Sequence, residues 1–237
     1  MPALSVITIN FNNALGLEKT ITSVISQTFK DFEYIVIDGK STDGSKDILE
    51  KYTNHITYWI SEKDTGVYHA MNKGIEKATG TYLLFLNSGD YLYNSSVLKS
   101  VFEKKYTADI LYGDMMIVDK TNIQKHMKMP RYVGARRLFF DTVWHPVSFI
   151  KRELFLKYGK YDESYKIVSD YEFFVRVIVG ENSSRKKIPF IISIFDTSGM
   201  SSDKSNVPLI LDERGKIQKK YFHPFTLKML TFLNKIR

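Results

Sequence analysis

Two hydrophobic periods alternate along the first half of the chain. Nearly continuous apolar runs at residues 4–9, 34–37, 56–60, 82–87 and 110–112 are short and bounded by polar residues or Gly. Such runs read as strands covered on both faces. Between them the apolar spacing stretches to three and four. Leu17, Ile21, Val24, Ile25 and Thr28 share one helical face, as do Val67, Ala70, Met71, Gly74, Ile75 and Ala78. Residues 46–52 and 96–104 read as two further helices, the first capped by Asp43 or Ser45. This alternation over about 110 residues predicts an α/β fold with a Rossmann-like, mostly parallel central sheet flanked by helices.

The pattern is less regular afterwards. Residues 115–118 read as a strand, followed by a polar loop through Pro130. Residues 143–150 are extended, Arg152–Tyr158 is helical, and 170–179 is a helix with Tyr171, Phe174, Val175 and Ile178 facing inward. A last strand covers 188–195, and the small polar residues 199–207 read as a mobile loop or lid. The expected organisation is one domain over 1–212, with halves 1–115 and 116–212, then a basic amphipathic segment over 213–237.

Composition narrows the chemistry. None of the 237 residues is Cys, so disulfides and thiolate metal sites are excluded. The 15 Tyr and 16 Phe suit a large core or a groove that stacks on rings and sugars. Seven of the eight net positive charges lie between Arg214 and Arg237, where no acidic residue occurs, leaving the body at +1. That argues against nucleic acid as the principal partner. Phe222, Phe225, Met229, Leu233 and Ile236 recur every three or four residues in this tail. The pattern fits a membrane-surface anchor, or a terminal helix packed on the body with a solvated basic face; the two can coexist. No signal peptide or spanning helix is evident, so the expected location is cytoplasmic, peripheral on the inner membrane face if the tail anchors.

In open α/β sheets chemistry gathers past the carboxyl ends of the strands. After the first strand comes Asn10-Phe11-Asn12-Asn13, which lacks the glycine-rich dinucleotide fingerprint. Phe11 can stack on a planar base and the Asn amides can bond to it, or Phe11 is core and Asn12 or Asn13 caps the next helix. After the second strand comes Asp38-Gly39-Lys40-Ser41-Thr42-Asp43-Gly44, a tight loop whose Asp38 can accept from a base or ribose, or an Asx turn. After the fourth come Asn87-Ser88-Gly89-Asp90, a polar turn whose carboxylate can orient a substrate or hold a hard cation. Together these suggest a nucleotide held across the strand ends.

These residues carry a resemblance. The stretches 5–12, 23–28 and 33–44, then 62–74, 78–80 and 86–90 resemble family 2 glycosyltransferases, in particular bacterial members that build capsule, exopolysaccharide and O-antigen repeats. The likeness is dense over 4–115 and sparser over 140–180. It implies a GT-A fold and an inverting transfer, often from a UDP-sugar. It implies that Phe11 stacks on the base, that Thr8 and Asp38 contact the nucleoside, and that Asp64 lies near base or ribose. Asn12 and Ser41 join that donor set. Asn72 and Lys73 fall where a polar or basic group approaches the donor. The family's Asp-x-Asp metal motif is replaced here by Asn87-Ser88-Gly89-Asp90, leaving Asp90 alone to ligate Mg²⁺ or Mn²⁺. One carboxylate with phosphate oxygens and water can suffice.

The second half supplies the base that inversion requires. Ser169-Asp170-Tyr171-Glu172 resembles the family segment that carries it, with Asp170 the candidate. Asp170 can equally be an N-terminal helix carboxylate favoured by the dipole. Glu172, two residues on and therefore on another helix face, is kept with Trp144 and His145 as an acceptor-side candidate. The expected activity is sugar transfer to a lipid-linked glycan of a bacterial surface polysaccharide. The alternatives are a non-catalytic sugar-nucleotide-binding subunit, which would explain the missing motif, and a nucleotidyltransferase.

Overall fold

The computed structural model describes residues 1–118, 124–197 and 202–235. In the first half β1 (Leu4–Asn10), α1 (Ala14–Ile25), β2 (Phe32–Asp38), α2 (Ser45–Lys51), β3 (Tyr58–Ser61), α3 (Val67–Lys77) and β4 (Tyr82–Phe85) succeed one another. The four strands are parallel in the order β3-β2-β1-β4, so their carboxyl ends open on one edge. Every residue of β1 is buried, because period-2 alternation sends its side chains into two cores. Leu4 and Val6 pack with Leu17, Ile21 and Val24 of α1, whereas Ile7 and Ile9 pack with Met71 and Ile75 of α3. Each fully buried side chain of this size contributes about 1.5–3 kcal/mol.

The chain continues through β5 (Tyr91–Leu92), α4 (Val97–Phe102), β6 (Ile110–Val118), β7 (Gln124–Met127), α5 (Ala135–Phe140), β8 (Ser148–Lys151), α6 (Arg152–Tyr158), α7 (Ser169–Val175), β9 (Arg185–Asp196), α8 (Val207–Tyr221) and α9 (Pro224–Lys235). The sheet extends as β4-β8-β6-β9-β5, with β7 hydrogen-bonded to β6. β8 runs against both β4 and β6, whereas β9 runs parallel to β6. The result is the mostly parallel, helix-flanked sheet of a GT-A fold.

Several expected elements change. Residues 115–118 are the end of β6 rather than a strand of their own. The polar loop before Pro130 contains β7, which closes a hairpin on β6. Only the last part of 143–150 is a strand, after a 3-10 turn at His145–Val147. Within the segment expected to be a lid, Lys204–Asn206 is a 3-10 turn and Val207 opens α8. Its residues 199–201 lie outside the described residues, as does Ile236.

Candidate active site

The tips of β1, β2 and β3 form one platform. Phe11 is 66% exposed directly after β1, which leaves its ring face available. A Cβ built on Gly39 would lie 2.6 Å from Asp64 Oδ2 and 3.1 Å from the Phe11 ring. Ring and carboxylate therefore converge over bare backbone. Asp64 also accepts from the Gly66 amide at 3.0 Å. Asn12 takes a left-handed φ of 48°, which Asn tolerates better than most residues. Its Oδ1 accepts from the Thr42 amide at 2.9 Å, and its amide donates to Ser41 Oγ at 2.8 Å.

Asp38 is fully buried and saturated by protein donors. It accepts from Asn10 Nδ2 at 2.7 Å, Ser41 Oγ at 2.6 Å, the Ser41 amide at 3.0 Å and Ser61 Oγ at 2.6 Å. The carboxylate ties the three strand tips together, and Ser41 serves the same network. In this state it offers no lone pair to a nucleoside, so its effect on a ligand runs through loop shape.

Three residues expected at the donor are engaged by the protein itself. Thr8 lies on the α1 side of β1 and is fully buried; its Oγ1 donates to the Leu86 carbonyl at 2.8 Å and lies 3.0 Å from Tyr34 Oη. Asn72, also buried, donates to the Tyr161 carbonyl at 3.0 Å and to Glu163 Oε1 at 2.8 Å, and accepts from the Tyr161 amide at 3.0 Å. It stitches α3 to the segment between α6 and α7. Lys73 is neutralised by Glu62 at 2.7 Å and donates to the Lys63 carbonyl at 3.2 Å.

The β4 turn forms the other side of the site. Pairing of β5 with β9 is antiparallel, which brings the end of β9 back beside Asp90. The Asp196 amide donates to Asp90 Oδ1 at 3.0 Å. A Cβ on Gly89, at φ 104°, would lie 3.5 Å from Asp196 Oδ2, so the second carboxylate faces the same turn. Burial pushes the Asp90 carboxyl up to about 7. The Asp196 amide and His145 oppose that shift, and the Asp196 charge adds to it. Asn87 Oδ1 is buried and has no hydrogen-bond partner among the described residues.

His145 connects this turn to Asp170. Its Nε2 lies 3.3 Å from Asn87 Nδ2, and its Nδ1 lies 3.1 Å from Asp170 Oδ2. With the amide oriented this way Nε2 accepts, so Nδ1 carries the proton and donates to Asp170. The other Asp170 oxygen lies 3.1 Å from Tyr68 Oη and accepts from the Tyr171 amide at 2.9 Å. Burial and the neighbouring Asp170 charge raise the Tyr68 hydroxyl well above its ordinary value, so it stays protonated. The Tyr68 hydroxyl gives its one proton to the Ile167 carbonyl at 2.5 Å, so Asp170 is held by two donors, His145 and the Tyr171 amide, with Tyr68 packed beside it.

Glu172 is not on the acceptor side. It is buried at 1% exposure, accepts from the Tyr221 hydroxyl and pairs with Arg176 at 3.1 Å. Two residues after Asp170 on a helix, it points away and locks α7 to α8. Trp144 is half-buried between the two cores and gives His145 its approach. Sequence reasoning missed Asp196, Tyr68 and Glu213. Asp196 had a signal, a carboxylate directly after the last apolar run. Glu213, buried at 5%, had none: from α8 it accepts the amides of Lys166 at 2.7 Å, Ile167 at 3.1 Å and Val168 at 3.2 Å, just before α7.

The Asp90 turn has the donor chemistry of a hard divalent cation. Among the described residues no three His, Asp or Glu side chains converge as a closed cage. Mg²⁺ and Mn²⁺ sites that serve phosphates do not need one, because water and substrate oxygens complete them. The partnerless Asn87 oxygen, the paired Asp90 and Asp196 and the raised Asp90 carboxyl all fit a cation shared with a ligand.

Comparison with known proteins agrees with this geometry. Residues 5–164 match the family described as Glycosyl transferase family 2. A PGL/p-HBAD biosynthesis glycosyltransferase of Mycobacterium bovis is 35% identical over 185 residues, covering 74% of this chain and 69% of the relative. The crystal structure of Staphylococcus aureus TarS 1–349 in complex with UDP superposes with a TM-score of 0.69 at 22% identity, over 81% of this chain and 60% of that one. The mannosyltransferase PcManGT of Pyrobaculum calidifontis, in complex with GDP-Man and Mn²⁺, gives 0.64 at 15% identity, over 85% and 59%. The chain therefore spans about 60% of the solved fragments it matches.

Proposed function

The chain belongs to glycosyl transferase family 2, and from that premise we propose that it is an inverting enzyme moving a sugar from a UDP-sugar to a lipid-linked glycan of the bacterial surface. The observation that carries the reading is Asp170, held by His145 and the Tyr171 amide, with His145 reaching on to Asn87 in the β4 turn. The UDP complex of TarS supports the uridine nucleotide. The basic tail, with its apolar stripe, supports a lipid-borne acceptor at the cytoplasmic membrane face.

In this reading the base stacks on Phe11, and Asp64 accepts from base or ribose. The diphosphate lies over the β4 turn, where Asp90 and Asp196 would hold Mg²⁺ or Mn²⁺. When bound, the cation would neutralise charge on the departing nucleotide. Asp170 takes the proton of the acceptor hydroxyl as its oxygen attacks the anomeric carbon. The bond from that carbon to the phosphate oxygen breaks on the opposite face, and its electron pair leaves with the nucleotide. His145 Nδ1–H donates to Asp170 and orients it, and Asn87 on Nε2 fixes the tautomer.

The test is turnover of the purified chain on a panel of UDP- and GDP-sugars, read as nucleotide release with an acceptor extract. Wild type should release UDP, and Asp170→Asn should lose about 10²–10⁴-fold in kcat while binding nucleotide normally. Full activity in Asp170→Asn removes the assigned base. Tight nucleotide binding without turnover on any donor favours a binding subunit.

A further inference from the structure

α9 is docked by one face and presents the other. Leu230 is 2% exposed and Leu227 is partly buried against the core. Just before the helix, the Phe222 ring lies 6.1 Å from that of Phe139. Phe225, Met229 and Phe232 are 72%, 46% and 63% exposed. Their spacing of four and three puts them on one face, with exposed Lys228 among them. Leu227, Lys228, Thr231 and Phe232 line a shallow depression there. Three large apolar side chains along one exposed helical face mark an interaction surface.

We propose that this face of α9 docks on an anionic lipid surface. The argument is charge and size. From Arg214 onward the chain has seven basic residues and no acidic one. Arg214, Lys216 and Lys220 among them are engaged within the protein; a second copy laid on this basic end would set like charges together, whereas anionic headgroups would meet Lys228 and, beneath it, the rings. α9 has 12 residues, about 18 Å, too short for a hydrocarbon layer of roughly 30 Å. Among the described residues no helix is long and apolar enough to cross a membrane. α9 therefore lies in the interface plane, rings down, as amphipathic helices with an apolar and a basic face do.

The placement bears on the transfer reaction, on whose reading this consequence rests. α8 leads into α9, and its Glu213 grips the amides of 166–168 just before the Asp170 helix. Docking thereby sets Asp170 at a fixed height above the lipid, where a lipid-borne hydroxyl arrives.

Sedimentation of the full chain with vesicles of phosphatidylglycerol and phosphatidylcholine, against phosphatidylcholine alone, tests the proposal. Binding to the anionic vesicles only, weakened by added salt, is expected. Phe225→Ser with Phe232→Ser should weaken partition roughly a hundredfold, and Lys228→Gln roughly fivefold. All three side chains are exposed, so UDP titration of each variant should match wild type. No binding, equal binding to both vesicles, undiminished binding of the double variant, or a concentration-dependent dimer that the double variant abolishes overturns it. Any of these leaves nucleotide binding and the transferase reading standing.

Discussion

Asp38 at the end of β2 and Asp90 after β4 are both buried carboxylates at the same sheet edge, and their surroundings are opposite. Asp38 receives four hydrogen bonds from Asn10, Ser41 and Ser61. Asp90 receives one from the Asp196 amide, faces a second carboxylate, and is pushed up to about 7 by burial. Position at a strand end is therefore not enough to mark a functional carboxylate. The number of donors facing it decides. A saturated one builds the loop, and an under-satisfied one waits for a cation or a proton.

The sharpest way to break the comparison is to remove each carboxylate. Asp38→Ala removes the shared acceptor of buried Asn10 and half-buried Ser41 and Ser61. It should cost about 4 kcal/mol in denaturant unfolding at pH 7. A cost below 1 kcal/mol means the network is not structural. Asp90→Asn should act in the other direction. The unfolded carboxyl ionises near 3.8 and the folded one near 7. Between those values the folded state keeps a proton the unfolded state has lost, so stability falls as pH rises, and above 7 the loss is complete. Asn cannot ionise, so without metal the variant should be more stable at pH 8 by on the order of 3 kcal/mol and unchanged near pH 4. Paired thermal melts at the two pH values read this directly.

Smaller effects sharpen the donor platform. Phe11→Ala should weaken UDP binding by about 1–3 kcal/mol, the worth of stacking one base on a ring, with melting unchanged because the ring is exposed. Gly39→Ala brings a methyl within 2.6 Å of Asp64 Oδ2 and 3.1 Å of Phe11. Both side chains can swing aside, so folding should persist and UDP affinity should fall by about 1 kcal/mol. Equal affinity in both variants would place the nucleoside elsewhere.

The first half of the fold was legible because its strands are buried on both faces and its helices keep one apolar stripe, so local pattern and topology agree. The second half depends on pairings that pattern does not encode. β8 is a short antiparallel insertion between β4 and β6, and β7 is a hairpin inside a polar loop. The site divides in the same way. Phe11 and Asp90 stand out as residue types at strand ends. Thr8 misleads because period-2 alternation turns its hydroxyl into the sheet. Asn72 and Glu172 mislead because their partners, Tyr161 and Tyr221, are distant in sequence. Asp196 was readable by the strand-end rule and was passed over because nothing in the chain says that β9 returns beside β5.

The central claim is that Asp90 and Asp196 together form a cation-ready floor beneath the donor diphosphate. Calorimetric titration of UDP with and without Mn²⁺, on wild type, Asp90→Asn and Asp196→Asn, tests it most directly. The account predicts binding to wild type that strengthens at least tenfold with Mn²⁺ and loses that gain in both variants. Equal UDP affinity with and without Mn²⁺, or a Mn²⁺ effect that survives in both variants, would contradict it.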